Sequence, residues 1–156
     1  MSDSDLRLLT DRAAISDVVI RYARSLDVQD WEMCRACFSV DIEQDYSDFR
    51  GEPPSTIKAD AFVALRREAL TGLKTQHLST NHAVSVEGDS AICISAMVIF
   101  RFRSDGTSHN EFDTHGYYTH ALVRTPEGWK INKVKQTVLW SKGNPEIHGF
   151  HRAKGS

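Results

Sequence analysis

Residues 75–103 read TQHLSTNHAVSVEGDSAICISAMVIFRFR, and this stretch decides the fold. β-Branched and apolar residues alternate with polar ones on both sides of Glu87-Gly88-Asp89, the pattern of two strands joined by a tight turn. Two further segments of this kind, 110–124 and 129–141, follow the separators Ser104-Asp105-Gly106-Thr107 and Thr125-Pro126-Glu127-Gly128. Short glycine-bearing separators predict hairpins, and hence a mostly antiparallel sheet. Strands of about 12 residues are roughly twice the usual length, and strands that long must twist and coil. The resulting concave face needs a cover.

That cover lies upstream. Over 10–26, Ile15, Val18, Val19, Tyr22, Ala23 and Leu26 recur at helical spacing, with Thr10 as cap and Asp11 in the first turn. Asp30 caps a second, short helix over 31–38 that turns Met33, Cys34, Cys37 and Phe38 inward. Residues 40–46 alternate as a strand with Ile42, Gln44 and Tyr46 on one face. A loop over 51–55 leads to a third helix, 58–70, with Phe62, Leu65 and Ala69 at helical spacing and Gly72 to stop it. Three N-terminal helices packed on a strongly curved, mostly antiparallel sheet make an α+β fold, a cone-shaped barrel enclosing a pocket. The expected domain spans 1–141, and the polar, glycine-bearing tail 142–156 is expected to be only partly ordered.

The totals agree with one soluble domain: 156 residues, 40% hydrophobic and 26% charged. A formal charge of −2 without a basic block excludes nucleic acid as a partner, because phosphate binding needs concentrated positive charge. The longest apolar run, 96–100, falls far short of the roughly 20 residues of a membrane span. The N-terminus lacks the basic start and apolar centre of a secretory signal, and the three cysteines are an odd number. A cytoplasmic protein with reduced thiols is the expectation.

No phosphate-cradling glycine loop, nucleophile elbow or His-Glu-x-x-His motif occurs. Cys34-x-x-Cys37 falls on a helix with Met33 and Phe38 and reads as core packing. His109, His115 and His120 do not share one strand face, so no metal site is expected from them. His148 and His151 sit in the tail and are expected to be exposed. His77 and His82 are predicted on opposite faces of their strand, with His77 beside Thr75 and Ser79.

The run Tyr22-Ala-Arg-Ser-Leu26-Asp27 with Asp30-Trp31, then Asp45-Tyr46-Ser47-Asp48-Phe49, then Lys74-Thr-Gln76-His77, resembles scytalone dehydratase and its SnoaL-like relatives. These belong to the nuclear transport factor two-like (cystatin-like) superfamily, and the resemblance covers about 11–140. It implies a pocket in which Asp27 meets His77, the carboxylate fixing the imidazole so that its other nitrogen can remove a carbon-bound proton. Tyr46 matches a tyrosine that helps to polarise the substrate carbonyl. Tyr22, five residues before Asp27, resembles the tyrosine of a related bile-acid dehydratase. The hexachlorocyclohexane dehydrochlorinase of the same superfamily is similar at Asp27 and His77.

Phe100 stands where scytalone dehydratase has a second histidine, and Tyr118 where it has a substrate-contacting asparagine. With Trp31 and Trp140 they make the implied pocket more apolar, suited to a polyketide, steroid or aromatic-degradation intermediate. The resemblance thus implies a cofactor-free, metal-free lyase with a small hydrophobic substrate, or else a binding or scaffold module of the same fold. A ketosteroid-isomerase or epoxide-hydrolase chemistry would need further carboxylates, for which Glu43, Asp45 and Asp113 are the candidates. Apolar side chains on the outer sheet face predict a homodimer or homotrimer.

Overall fold

A computed structural model describes residues 2–104 and 109–149. Most of the separator 104–107, and His151, lie outside the described residues. The chain runs α1 (Asp3–Val28), α2 (Trp31–Ala36), β1 (Phe38–Asp45), α3 (Ser47–Arg50), β2 (Ser55–Lys58), α4 (Ala59–Leu70), β3 (Lys74–Glu87), β4 (Ser90–Phe102), β5 (Glu111–Thr125) and β6 (Gly128–Gly143). A 3-10 turn, Pro145–Ile147, follows. The strands form one sheet in the order β2-β1-β6-β5-β4-β3, with α1 against β3, β4 and β6 on one face. This is the expected α+β architecture, with two additions, the short α3 and β2.

The four long strands pair antiparallel as their hairpin turns dictate. The positive φ of Gly88, 59°, lets the β3–β4 turn close at once. β1 departs from the pattern by pairing parallel with β6. Their paired residues are 90 or more positions apart, as in Phe38↔Ile131, so no tight turn fixes their relative direction.

Helix α1 begins earlier than its apolar stripe. Ser2 and Asp5 form a capping box, and the first turns carry exposed Leu6, Leu8 and Leu9, which leave no inward pattern to read. Asp11 therefore lies mid-helix, where it accepts hydrogen bonds from Arg124 Nη1 (2.8 Å), Arg124 Nη2 (2.7 Å) and Trp129 Nε1 (3.1 Å). Arg124 Nε also donates to Asp89 at 2.9 Å. One end of the inward stripe is thus tied to β5, β6 and the β3–β4 turn.

On α4 the buried stripe is Phe62, Val63, Arg66, Ala69 and Leu70, while Leu65 is 42% exposed. The expected inward Leu65 is corrected to Arg66, because the i, i+4, i+7 line from Phe62 passes through the arginine.

Two of the sheet's bulges set which side chains near the site face the helices. Asn81 has φ 54°, and pairing steps from Thr80↔Ala96 to Ala83↔Ile94, so β3 holds one extra residue there. His77 and His82 consequently share the inner face, against the expectation of opposite faces. His82 contacts Ser16 Oγ at 2.6 Å and Ser79 Oγ at 2.9 Å. On β6 the pairing jumps from Gly116↔Val138 to His115↔Trp140, which turns Trp140 outward.

The chain stays in the fold beyond residue 141. Asn144 N–H donates to Glu111 O (2.7 Å), Arg103 Nη2 donates to Ile147 O (2.5 Å), and Ile147 and His148 are buried. The expected exposure of His148 is thereby corrected: one isoleucine and a strand extension anchor a segment whose composition reads as a tail. No described helix is long and apolar enough to cross a membrane.

Candidate active site

β3 is an edge strand, so its outward backbone groups need partners from outside the sheet. The end of α1 supplies them. Asp27 Oδ2 accepts the His77 backbone N–H at 2.8 Å, and Oδ1 accepts Thr75 Oγ1 at 2.9 Å. Oδ1 also meets the His77 ring at Nδ1, 2.5 Å away. Just beyond, Gln29 Nε2 donates to Leu73 O at 3.2 Å. An ionised carboxylate has no proton to give, so Nδ1 carries the hydrogen and Nε2 keeps its lone pair.

Burial pushes His77 below its ordinary value near 6.5, partly opposed by Asp27. Burial also pushes Asp27 up, but the bonds from His77 and Thr75 outweigh it and hold the carboxyl below its usual range. At neutral pH the pair is a carboxylate and a neutral imidazole.

His77 lines a cavity of about 30 Å³, room for one or two waters, together with Tyr22, Tyr46 and Tyr118. The structure therefore brings Asp27, His77, Tyr22, Tyr46 and Tyr118 together. The hydroxyls of Tyr22 and Tyr46 are buried with no hydrogen-bond partner, whereas Tyr118 Oη accepts from Gln136 Nε2 at 3.0 Å. A smaller void of about 10 Å³ continues inward to Ser79 and His120. Burial pushes His120 down to about 3, and neither ring nitrogen has a partner, so it is a neutral imidazole.

Three residues assigned to the pocket do not line it. Phe100 (39% exposed) and Trp140 (55%) lie on the outer sheet face, where Trp140 stacks on His115 at 4.5 Å. Ile99 is the cross-strand partner of His77, so the inner positions of β4 are Met97, Ile99 and Arg101, and Phe100 points away. Trp31 packs against the core from α2 without reaching the cavity. Glu43 and Asp113 pair with Lys133 (2.7 Å) and Lys142 (3.3 Å), and Asp45 holds Ser47 (2.7 Å). None of these three carboxylates lines the cavity.

Sequence reasoning missed Arg66, Arg101, Gln136 and His148, all of which do line it. For Arg66 a signal existed, an arginine on the apolar stripe of α4. For Arg101 it was the alternation of β4 counted from His77. Cys34, Cys37 and Cys93 are free and buried, and burial pushes Cys37 up to about 12 and Cys93 to about 11. Among the described residues no cluster of three His, Cys, Asp or Glu is arranged to hold a metal ion.

Known proteins share this arrangement of elements. The family model of the SnoaL-like domain matches residues 7–135. The Mycobacterium tuberculosis protein Rv2910c is 24% identical over 139 residues, 86% of this chain and 89% of its own. The crystal structure of Kfla4162 from Kribbella flavida matches with a TM-score of 0.83 at 25% identity, over 90% of this chain and 97% of that one. Hexachlorocyclohexane dehydrochlorinase LinA-type3 of Novosphingobium barchaimii matches with a TM-score of 0.75 at 20% identity, over 92% and 97%. At that identity the last likeness is one of fold. With most of its length matched and its helices laid over one curved sheet, the chain belongs to the SnoaL-like domain family, on the nuclear transport factor two-like fold.

Proposed function

We propose that the protein is a cofactor-free lyase that eliminates a small leaving group from a carbocyclic polyketide, steroid or aromatic-degradation intermediate. The observation that carries this reading is the Asp27–His77 pair, bonded at Nδ1 with Nε2 left to the cavity. His77 Nε2 takes a proton from substrate carbon, and the C–H electron pair becomes the new C=C bond. The leaving group departs with its own bonding pair. Where that group is hydroxide, the imidazolium returns the proton and water leaves. Asp27 supports the transient imidazolium, and the Tyr22 and Tyr46 hydroxyls are donors for a substrate oxygen on which charge develops. The dehydrochlorinase on the same fold, whose name denotes an elimination, supports the assignment.

The test begins with a ligand screen by native mass spectrometry, followed by turnover of whatever is retained. His77→Ala should lower kcat by roughly 10² to 10⁴, the range of general-base catalysis. Full turnover by His77→Ala would end this reading in favour of a non-catalytic binding module.

The same reading includes a homodimer or homotrimer of a cytoplasmic protein. Exposed Leu78, Ile92, Ile94, Phe100 and Trp140 support an outer face covered by another copy. Sedimentation should give more than a monomer at micromolar concentration.

A further inference from the structure

The cavity beside His77 is lined by arginines and by no carboxylate. Arg66 is buried between the rings of Tyr46 (4.4 Å) and Phe62 (4.6 Å), and its Nε and Nη2 have no hydrogen-bond partner. Arg101, 4% exposed, donates through Nη1 to Thr114 Oγ1 at 2.9 Å, and its Nε has no partner. Neither forms an ion pair among the described residues. The one carboxylate at the site, Asp27, is taken up by His77 and Thr75.

A buried guanidinium group without an acidic partner carries a desolvation cost in the empty protein. Burial accordingly pulls Arg101 down to about 10, while at Arg66 burial is outweighed by the phenols of Tyr46, Tyr22 and Tyr118, which raise it. Structural arginines escape this cost by pairing with an acid. Here both side chains line the cavity, and a guanidinium pairs well with a planar anion that carries two acceptor oxygens. Among the other walls, Tyr22, Leu26, Ile99 and Tyr118 suit a carbon skeleton rather than a bare inorganic ion, while Arg50, Gln136 and His148 add polar groups.

We infer that the cavity takes an organic monocarboxylate, held at its carboxylate by Arg66 and Arg101, with its carbon skeleton extending toward His77. The assignment rests on this cavity being the substrate site, and it narrows the proposed lyase to acidic substrates. It replaces the more apolar pocket expected from Phe100. At about 30 Å³ the cavity admits such a molecule only by displacing side chains, which directs the test toward a small probe.

Benzoate, benzamide and inorganic phosphate are the probes, titrated into the full chain by calorimetry and followed by thermal melting. Benzoate should bind at least about tenfold more tightly than benzamide and should raise the melting temperature, while phosphate should not. Arg66→Met should lose about tenfold or more of the benzoate affinity. Equal binding of benzamide, stabilisation by phosphate equal to that by benzoate, or undiminished benzoate binding by Arg66→Met would overturn the inference. The comparison of the three probes on wild type decides even if Arg66→Met does not fold. Benzoate affinity is read on wild type and turnover on His77→Ala, so loss of the elimination reading leaves the anion result standing, and the reverse also holds.

Discussion

Asp27 holds His77 at two points, the ring Nδ1 at 2.5 Å and the backbone N–H at 2.8 Å, so one carboxylate both positions the strand and orients the imidazole. The two jobs separate on substitution. Asp27→Asn keeps an acceptor for the backbone but loses the charge that raises His77 toward its ordinary value. In that variant the His77 pKa should fall further, measurable by nuclear magnetic resonance titration. Turnover should drop by about 10² or more with a smaller change in KM, and the loss should be far from additive with His77→Ala. A His77 pKa unchanged in Asp27→Asn would show that the contact does not act electrostatically.

Tyr46→Phe removes a hydroxyl that has no partner in the empty cavity. Stability should therefore hold or rise slightly, since an unsatisfied buried group disappears. Turnover should fall by the equivalent of about 2–4 kcal/mol if that hydroxyl meets the developing oxyanion. A loss of stability with unchanged turnover would make Tyr46 a packing residue.

Acid should weaken the fold well before the carboxylates titrate. His120 and His77 have folded pKa values below the unfolded value of about 6.5, so the unfolded chain takes up protons first. Their contribution is complete above pH of about 6.5. It is lost as pH falls, by about 1.4 kcal/mol per pH unit for His120 on its way down to about 3. Urea midpoints at pH 7.5 and 5.5 should differ accordingly, and His120→Phe should flatten the profile. No shift in midpoint would contradict a buried neutral imidazole.

Asp11 anchors α1 far from the site, 16 residues and roughly 24 Å of helix from Asp27. Asp11→Ala strips Arg124 and Trp129 Nε1 of a shared partner. It should cost about 1–3 kcal/mol, discounted from a fully buried pair because Arg124 is partly exposed. The folded Asp11 pKa is lowered to about 2 by Arg124, so this stabilisation is present above about pH 4 and lost as pH falls through about 2. Wild-type and variant melting curves should therefore converge in strong acid.

Gly116→Ala should be severe. A Cβ there would lie 1.9 Å from Thr137 O, a backbone atom that cannot rotate away. Separating β5 from β6 at this point should cost a few kcal/mol, read from denaturant midpoints. A tolerated alanine would mean that the two strands are spaced more loosely than the structure has them.

The helix stripes and the long strands were legible because each rests on a local period, whereas Asp27 and His77, 50 residues apart, were paired only by the resemblance to a known family. What the sequence hid has one physical origin. Alternation assigns faces only while a strand stays regular, and a single extra residue at Asn81 or near Leu139 reverses the assignment beyond it. His82 was misplaced for that reason, and the same kind of shift turns Trp140 away from the pocket. Arg66 and Arg101 were hidden differently. Charged residues are taken as outward by default, and only a count from Phe62 or from His77's partner Ile99 shows them facing in.

Asn81 acts on β3 much as an inserted base acts on a reading frame. Before it, odd-numbered residues face the interior and contribute Thr75, His77 and Ser79. After it, even-numbered residues do, contributing His82, Val84 and Val86. The two halves of the strand are written in different phase, so the chemistry at one end can be revised without a matching revision of the packing at the other. Removing that one residue would exchange inner for outer side chains on one half alone, a larger change to the site than most substitutions within it.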